Sequence, residues 1–418
     1  MALSLLRFAQ DDTRQLRMTS INGAASPWRP MKTDFEYIVL GLGGFGSASA
    51  YWLARRAGTE VLGLEQFELG HVRGESQDHS RIIRLSYHTP AYVELAKFAF
   101  RAWEELERDS GEQVVLRTGG LDVGPRESAI PLSTYSDSMD AAGVGYERLD
   151  AGEIMRRWPQ WRLSDDMHGL FQERSGIAMA ARGNAAHVRM AREHGATLRD
   201  RAPVEAIRPT GGEVEVRTAD ATYRCRRLVI TAGAWSNRAL SPVGLQLPLT
   251  VTKEQVTYLA SPNLPDFQPD RFPVWIWMDD PCFYGFPAFG EPGPKVGQDA
   301  GGKETTADTR TFDPDPDALD RVLGFLERHL PGALGPIIYT KTCLYTLTPD
   351  RDFVLDVLPH HPEIAVAIGG GHGFKFASLV GQVLSELSID GHSPRDLTPF
   401  RIDRPILQMK DPPRNYMV

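Results

Sequence analysis

The chain has 418 residues and a formal net charge of −8 with no basic run, so it exceeds one ordinary domain and argues against a nucleic-acid partner. No stretch approaches the ~18 consecutive apolar residues that span a bilayer, which points to a cytoplasmic protein, a monomer or small homo-oligomer, without a membrane partner. The cysteines Cys225, Cys282 and Cys343 are far apart, with neither metal-ligand nor disulfide spacing, which suits a reducing compartment and predicts no metal.

Residues 1–34 read as a disordered N-terminal extension: a short apolar opening, then charges, without the long apolar core of a secretory signal. Organisation begins at Glu36–Leu40, an apolar run rich in β-branched and aromatic residues that predicts a buried strand. Gly41, Gly43 and Gly46 follow in G-x-G-x-x-G spacing, then Ser47–Ala57 has helical periodicity, and Val61–Leu64 forms a second strand ending in Glu65. Gly41 allows a tight turn, Gly43 lets a pyrophosphate approach the backbone, and Gly46 lets the helix lie close to the strand. The helix N-terminus offers free N–H groups to phosphate, and Glu65 can accept a hydrogen bond from a ribose 2′-OH. Together these predict a dinucleotide site, NAD or FAD; a glycine-rich turn of another α/β protein is the plainer alternative.

The polar stretch Gly70–Ser80 reads as a loop lying against a ligand. Arg81 and Arg84 follow, sharing one face if that segment is helical, with an anion or flavin contact weighed against a solvated face. Ala91–Arg108 is an amphipathic helix with Val93, Ala96, Phe100 and Trp103 inward. Strands are expected at Thr118–Val123, Val204–Ile207, Glu213–Arg217 and Arg227–Ala232, with a helix over Ala180–His194. Small residues around Gly233 fit a second close approach to a nucleotide and favour FAD over NAD.

Leu247–Phe289 is β-rich; its rings Trp275, Trp277, Phe283 and Tyr284 either line a substrate pocket or pack the sheet. Strand alternation puts Trp275 and Trp277 on one face and Ile276 on the other. Gly290–Thr311 reads as a polar, glycine-rich loop carrying Lys295, and Pro316–Leu330 as a helix. Three glycines lead from the strand Ile364–Ile368 to His372, Gly373, Phe374 and Lys375, and then to a helix from Ala377, a second glycine-rich junction facing a ligand.

The motifs GLGGFG with Glu65, SRIIR, YGFP followed by Lys295, CLYTLTPD and GHGFKF resemble the monomeric sarcosine oxidase family of flavoproteins, which includes N-methyltryptophan oxidase, pipecolate oxidase and fructosyl-amino-acid oxidases. The resemblance runs from about Phe35 to about Leu407. It implies an α/β fold of two domains: a discontinuous Rossmann-like FAD domain (35–117, 174–246 and 350–418) and a β-sheet substrate domain (118–173 and 247–349). It implies FAD linked covalently through Cys343, with Ser80, Val204, Gly371, Gly373 and Phe374 among further cofactor contacts. Lys295 matches the lysine that activates O2, Arg81 an arginine against the flavin, and Arg84 with Lys375 the pair that binds a substrate carboxylate. Tyr284, Tyr345 and His372 match residues lining the substrate site.

The implied reaction is oxidation of a small secondary amine bearing a carboxylate, with hydride transfer to flavin N5 and reoxidation by O2 to H2O2. A dehydrogenase using another acceptor and a D-amino-acid-type oxidase remain alternatives; the fingerprint alone also allows a nicotinamide dehydrogenase. Where sarcosine-specific members carry a histidine four residues after the lysine, this chain has Asp299; Gln77 replaces a histidine and His79 an aspartate. These departures, with the aromatic strand at Trp275, suggest a bulkier or cyclic substrate with a cationic or polar group near Asp299.

Overall fold

The computed structural model describes residues 31–413 and 415. The expected extension therefore lies outside the described residues except at 31–34, where the first strand already begins at Asp34.

The dinucleotide fingerprint forms as its spacing predicts. Asp34–Leu40 runs parallel to Val61–Leu64 on one side and to Thr222–Ile230 on the other, with Gly44–Ala57 as the crossover helix between the first two. Parallel pairs also join Val61–Leu64 to Thr197–Arg199 and Thr222–Ile230 to His361–Ile368. Eight described strands make up this sheet, with antiparallel strands completing it. The strands Val61–Leu64 and His361–Ile368 are predominantly buried and apolar, as a sheet covered on both faces requires. The helices Gly44–Ala57, Ala180–Glu193 and Ala377–Ile389 pack together over it.

A second, mainly antiparallel sheet carries nine described strands. Its long pair is Thr250–Leu259 with Ile337–Leu347. Lys295–Gln298, Phe283–Phe286 and Val274–Trp277 continue the sheet, and Val274–Trp277 joins Gly120–Pro125 in parallel. The amphipathic helix Pro316–His329 covers one face with Val322, Phe325 and Leu326 buried. A small third sheet pairs Arg81–Ile83 and Val115–Arg117 with Gly176–Ala178.

Two expectations are corrected here. Arg81 and Arg84 are not on a helix: Arg81–Ile83 is a strand, held by antiparallel pairing to a segment almost a hundred residues away. Lys295 is not on a loop either. It opens the strand Lys295–Gln298, in register with Tyr258 and Phe286, and is 1% exposed. Its glycine- and proline-rich flanks disguise a strand that pairs with Phe283–Phe286 just before it and with Thr250–Leu259 farther back. Among the described residues, no helix is long and apolar enough to cross a membrane, and no cluster of His, Cys, Asp and Glu is arranged to hold a metal.

Candidate active site

One elongated cavity of about 1010 Å³ runs from the fingerprint to the second sheet. At its first end, Gly41 takes φ +84°, a left-handed turn in which a β-carbon would lie 2.7 Å from Thr231 O. Gly46 is fixed by proximity: an added Cβ would fall 1.7 Å from Gly41 O. Gly43 differs, since its added Cβ meets only Ser76 Oγ, at 3.5 Å. Its backbone borders open space at the start of the helix, where a pyrophosphate fits. Glu65 accepts from Leu42 N–H at 2.8 Å and Phe67 N–H at 3.0 Å. Burial opposes its ionisation, but hydrogen bonds from His71 and these two amides hold its carboxyl below the usual value. Gly41, Gly43, Glu65, Val204, Gly233, Gly371, Gly373 and Phe374 all line the cavity. Gly46 does not, because it serves the helix–strand contact instead.

In the middle of the cavity, Arg81 donates to three backbone oxygens, of Ser80, Glu75 and Gln77, at 2.8–3.0 Å. Those bonds fold the Gly70–Ser80 loop around its guanidinium. Beside it, Lys295 Nζ lies 2.7 Å from Asp78 Oδ2 and donates to Ser80 O at 2.8 Å. Burial pushes the Lys295 ammonium down to about 8, with Asp78 opposing the shift. Cys343 sits on Ile337–Leu347, partly exposed, and burial pushes its thiol up to about 11 although Arg81 works the other way. Nearby cations therefore do not make it a thiolate at neutral pH. Lys295, Cys343 and Ser80 stand just behind the wall; Arg81, Tyr284, Phe286 and Tyr345 form it.

At the far end, Arg84 is 6% exposed, with its guanidinium 3.4 Å from Asp122 and 4.9 Å from the Tyr87 ring. Lys375 lies between Trp103, which donates to its backbone oxygen at 2.8 Å, and Tyr87. Burial and then the Arg84 charge hold its ammonium well below the usual lysine range. Tyr284 and Tyr345 line the same cavity. His372 stacks on Phe353 at 4.6 Å, and its Nε2 lies 2.9 Å from Arg351 O. A carbonyl only accepts, so Nε2 carries the proton. Burial, Lys375 and Arg351 hold this imidazole neutral.

Two substrate-site expectations change. Trp275 is 1% exposed and packs on Trp161 and Phe325 under the helix Pro316–His329, away from the cavity. The alternation is as predicted, but Ile276 and Tyr284 hold the cavity face. Asp299 does line the cavity, yet Arg351 Nη1 already lies 2.7 Å from its Oδ2. Its charge is matched from within, so no cationic substrate group is needed. Asp78, Asp122 and Arg351 were not singled out in the sequence. A buried acid two or three residues before an arginine motif is the only local signal any of them leaves.

The profile of the family described as DAO, FAD dependent oxidoreductase, matches residues 36–387. The chain belongs to this family. As a DAO-family FAD-dependent oxidoreductase, it is 36% identical over 370 residues to a monomeric sarcosine oxidase of Streptomyces avermitilis, covering 86% of this chain and 95% of that protein. It is 32% identical over 377 residues to N-methyl-L-tryptophan oxidase of Escherichia coli, covering 88% and 99%. In three dimensions it is similar to the open form of NikD, an unusual amino acid oxidase essential for nikkomycin biosynthesis. The TM-score is 0.78, with 27% identity over 88% of this chain and 98% of that one. The cavity fits the cofactor of this DAO-family chain: open backbone at Gly43, a carboxylate at Glu65, and length enough to reach Arg81.

Proposed function

We propose that the protein is an FAD-dependent oxidase of a secondary amine bearing a carboxylate, an N-methyl or cyclic amino acid. The observation that carries this reading is that Arg84 and Lys375 line the same cavity as Glu65 and lie over one ring, Tyr87, at 4.9 and 5.8 Å. Two cations there receive a carboxylate, Arg84 through parallel hydrogen bonds and Lys375 as a point charge. Ile130, Tyr135, Ile276 and Met278 line the same cavity and suit an apolar substituent or ring. The names of the sarcosine and N-methyltryptophan oxidases to which the chain is similar agree with that choice.

Bound FAD would supply the redox chemistry, a two-electron oxidation of the carbon beside the amine with the electrons returned to O2 as H2O2. The chain's residues orient and tune. Arg84 and Lys375 fix the carboxylate, while Tyr284, Tyr345 and neutral His372 line the space beside it without adding charge. Arg81 would hold the flavin ring, Cys343 would tether it, and Lys295 would supply positive charge where electrons pass to O2.

The test is anaerobic addition of N-methyl and cyclic amino acids, each beside its decarboxylated amine. Bleaching of the flavin by the acids alone, and one H2O2 per turnover once air is admitted, is the expected result. Equal bleaching by the amines, or reoxidation by air without H2O2, would overturn the reading.

A further inference from the structure

We infer that Asp78 is a positioning residue that holds Lys295 charged and in place beside Arg81, just behind the wall where O2 takes electrons. The inference rests on the oxidase reading of the site. Asp78 is 3% exposed and Lys295 1% exposed, and their charged atoms stand 2.7 Å apart. Asp78 has φ 142°, a backbone conformation that favours glycine, so a side chain is kept there against a conformational cost. Its second oxygen accepts from Tyr258 Oη at 2.8 Å, and its backbone oxygen accepts from Ala181 N–H. The carboxylate is thus fixed from the second sheet as well as from its own loop.

The charges around Lys295 explain what it is fixed for. From the Gly70–Ser80 loop comes Asp78 and, from the strand that follows it and 3.5 Å from that carboxylate, Arg81. From Ile337–Leu347 come Cys343, a neutral thiol, and Lys341, 3.8 Å from Asp78. Tyr258 and Tyr339 stack beside them, and His79 turns to Glu291. Phe286 lies under the ammonium at 4.4 Å. Lys295 therefore has one acid within contact, set against burial and the Arg81 charge. Without Asp78 both of those favour the neutral amine. A neutral amine gives no electrostatic help as O2 takes two electrons from reduced flavin and two protons to become H2O2.

The experiment follows Asp78→Asn and Asp78→Gly in the flavin-loaded protein, the glycine variant also suiting the backbone at this position. The first readout is a 13C NMR titration of labelled lysine side chains, with the Lys295 signal identified by its loss in Lys295→Met. The second is the rate at which substrate-reduced protein reacts with O2 across pH. Expected in the parent is a reoxidation rate that falls as pH rises through about 8. Both variants should shift the Lys295 titration and the rate profile together to acid by about one unit or more, making them about fivefold slower at pH 8 and equal to the parent at low pH. Unshifted titrations, or variants faster than the parent at every pH, would overturn the inference. If Lys295→Met reacts with O2 as fast as the parent, the oxidase role of Lys295 fails, while the titration still decides whether Asp78 holds its charge.

Discussion

Arg351 Nη1 lies 2.7 Å from Asp299 Oδ2, and through Asp299 this pair borders the cavity. Arg351 is 2% exposed in its side chain and takes φ 61°, so both its charge and its backbone are held by their surroundings. Its backbone oxygen also fixes the proton of His372. Asp299→Asn removes the matching charge and leaves a guanidinium buried. We expect a loss of about 2–3 kcal/mol in urea unfolding, below the ~3–5 kcal/mol of a fully enclosed pair because Asp299 is one-fifth exposed. Acetate binding should tighten, since the site gains positive charge. A stable variant with weaker acetate binding would contradict the pairing.

Gly43 and Gly46 are two parts of one motif with different duties, and alanine separates them. Gly46→Ala places a methyl within 1.7 Å of Gly41 O, so the helix must move from the strand. The expected cost is about 1–3 kcal/mol or more, the range for overpacking, together with loss of bound flavin. Gly43→Ala meets only Ser76 Oγ at 3.5 Å. It should leave the thermal midpoint of flavin-free protein within a degree or two while lowering the flavin-to-protein absorbance ratio. Equal destabilisation by both substitutions would remove the distinction.

The fingerprint was legible because strand, turn and helix are local and each glycine answers to a neighbour a few residues away. The same holds for the Gly369–Lys375 junction, whereas Arg84, Tyr284, Tyr345 and His372 were picked out by the family resemblance and all line the cavity. What was not legible depended on distant chain. The alternation of Trp275 and Ile276 could be read, but which face met the cavity was decided by the helix Pro316–His329, which covers the tryptophans. Lys295–Gln298 is four residues long between turns, and only pairing with Tyr258 and Phe286 makes it a strand. The charge balance was hidden for the same reason: Asp78 meets Lys295 across more than two hundred residues, and Asp299 meets Arg351 across 52.

Cys343 gives a prediction with a definite sign. Its thiol is pushed up to about 11 by burial, so it is almost wholly protonated at pH 7. Alkylation of flavin-free protein by iodoacetamide, followed by peptide mapping, should be slow at Cys343 at pH 7 and rise about tenfold per pH unit up to pH 9. In flavin-loaded protein that peptide should resist alkylation and keep the yellow colour after acid precipitation, and Cys343→Ala should release the colour. Fast alkylation at pH 7, or colour retained by Cys343→Ala, would contradict the assignment.

Lys375 carries the last prediction. Burial, with Arg84 beside it, holds its ammonium well below the ordinary lysine range. A bound carboxylate restores a partner and favours the charged form, so the complex has the higher pKa and binding takes up a proton at any pH between the two values. The sign follows: within that window the acetate dissociation constant should rise with pH, by up to about tenfold per unit. Below the window, with Lys375 charged in both states, it should be flat. Lys375→Met should bind acetate more weakly and lose this slope, whereas Arg84→Met should bind more weakly and keep a slope, displaced to higher pH because the like charge beside Lys375 is gone. Isothermal titration in two buffers of different ionisation enthalpy measures the proton directly. Uptake that persists in Lys375→Met would assign the titration to another group.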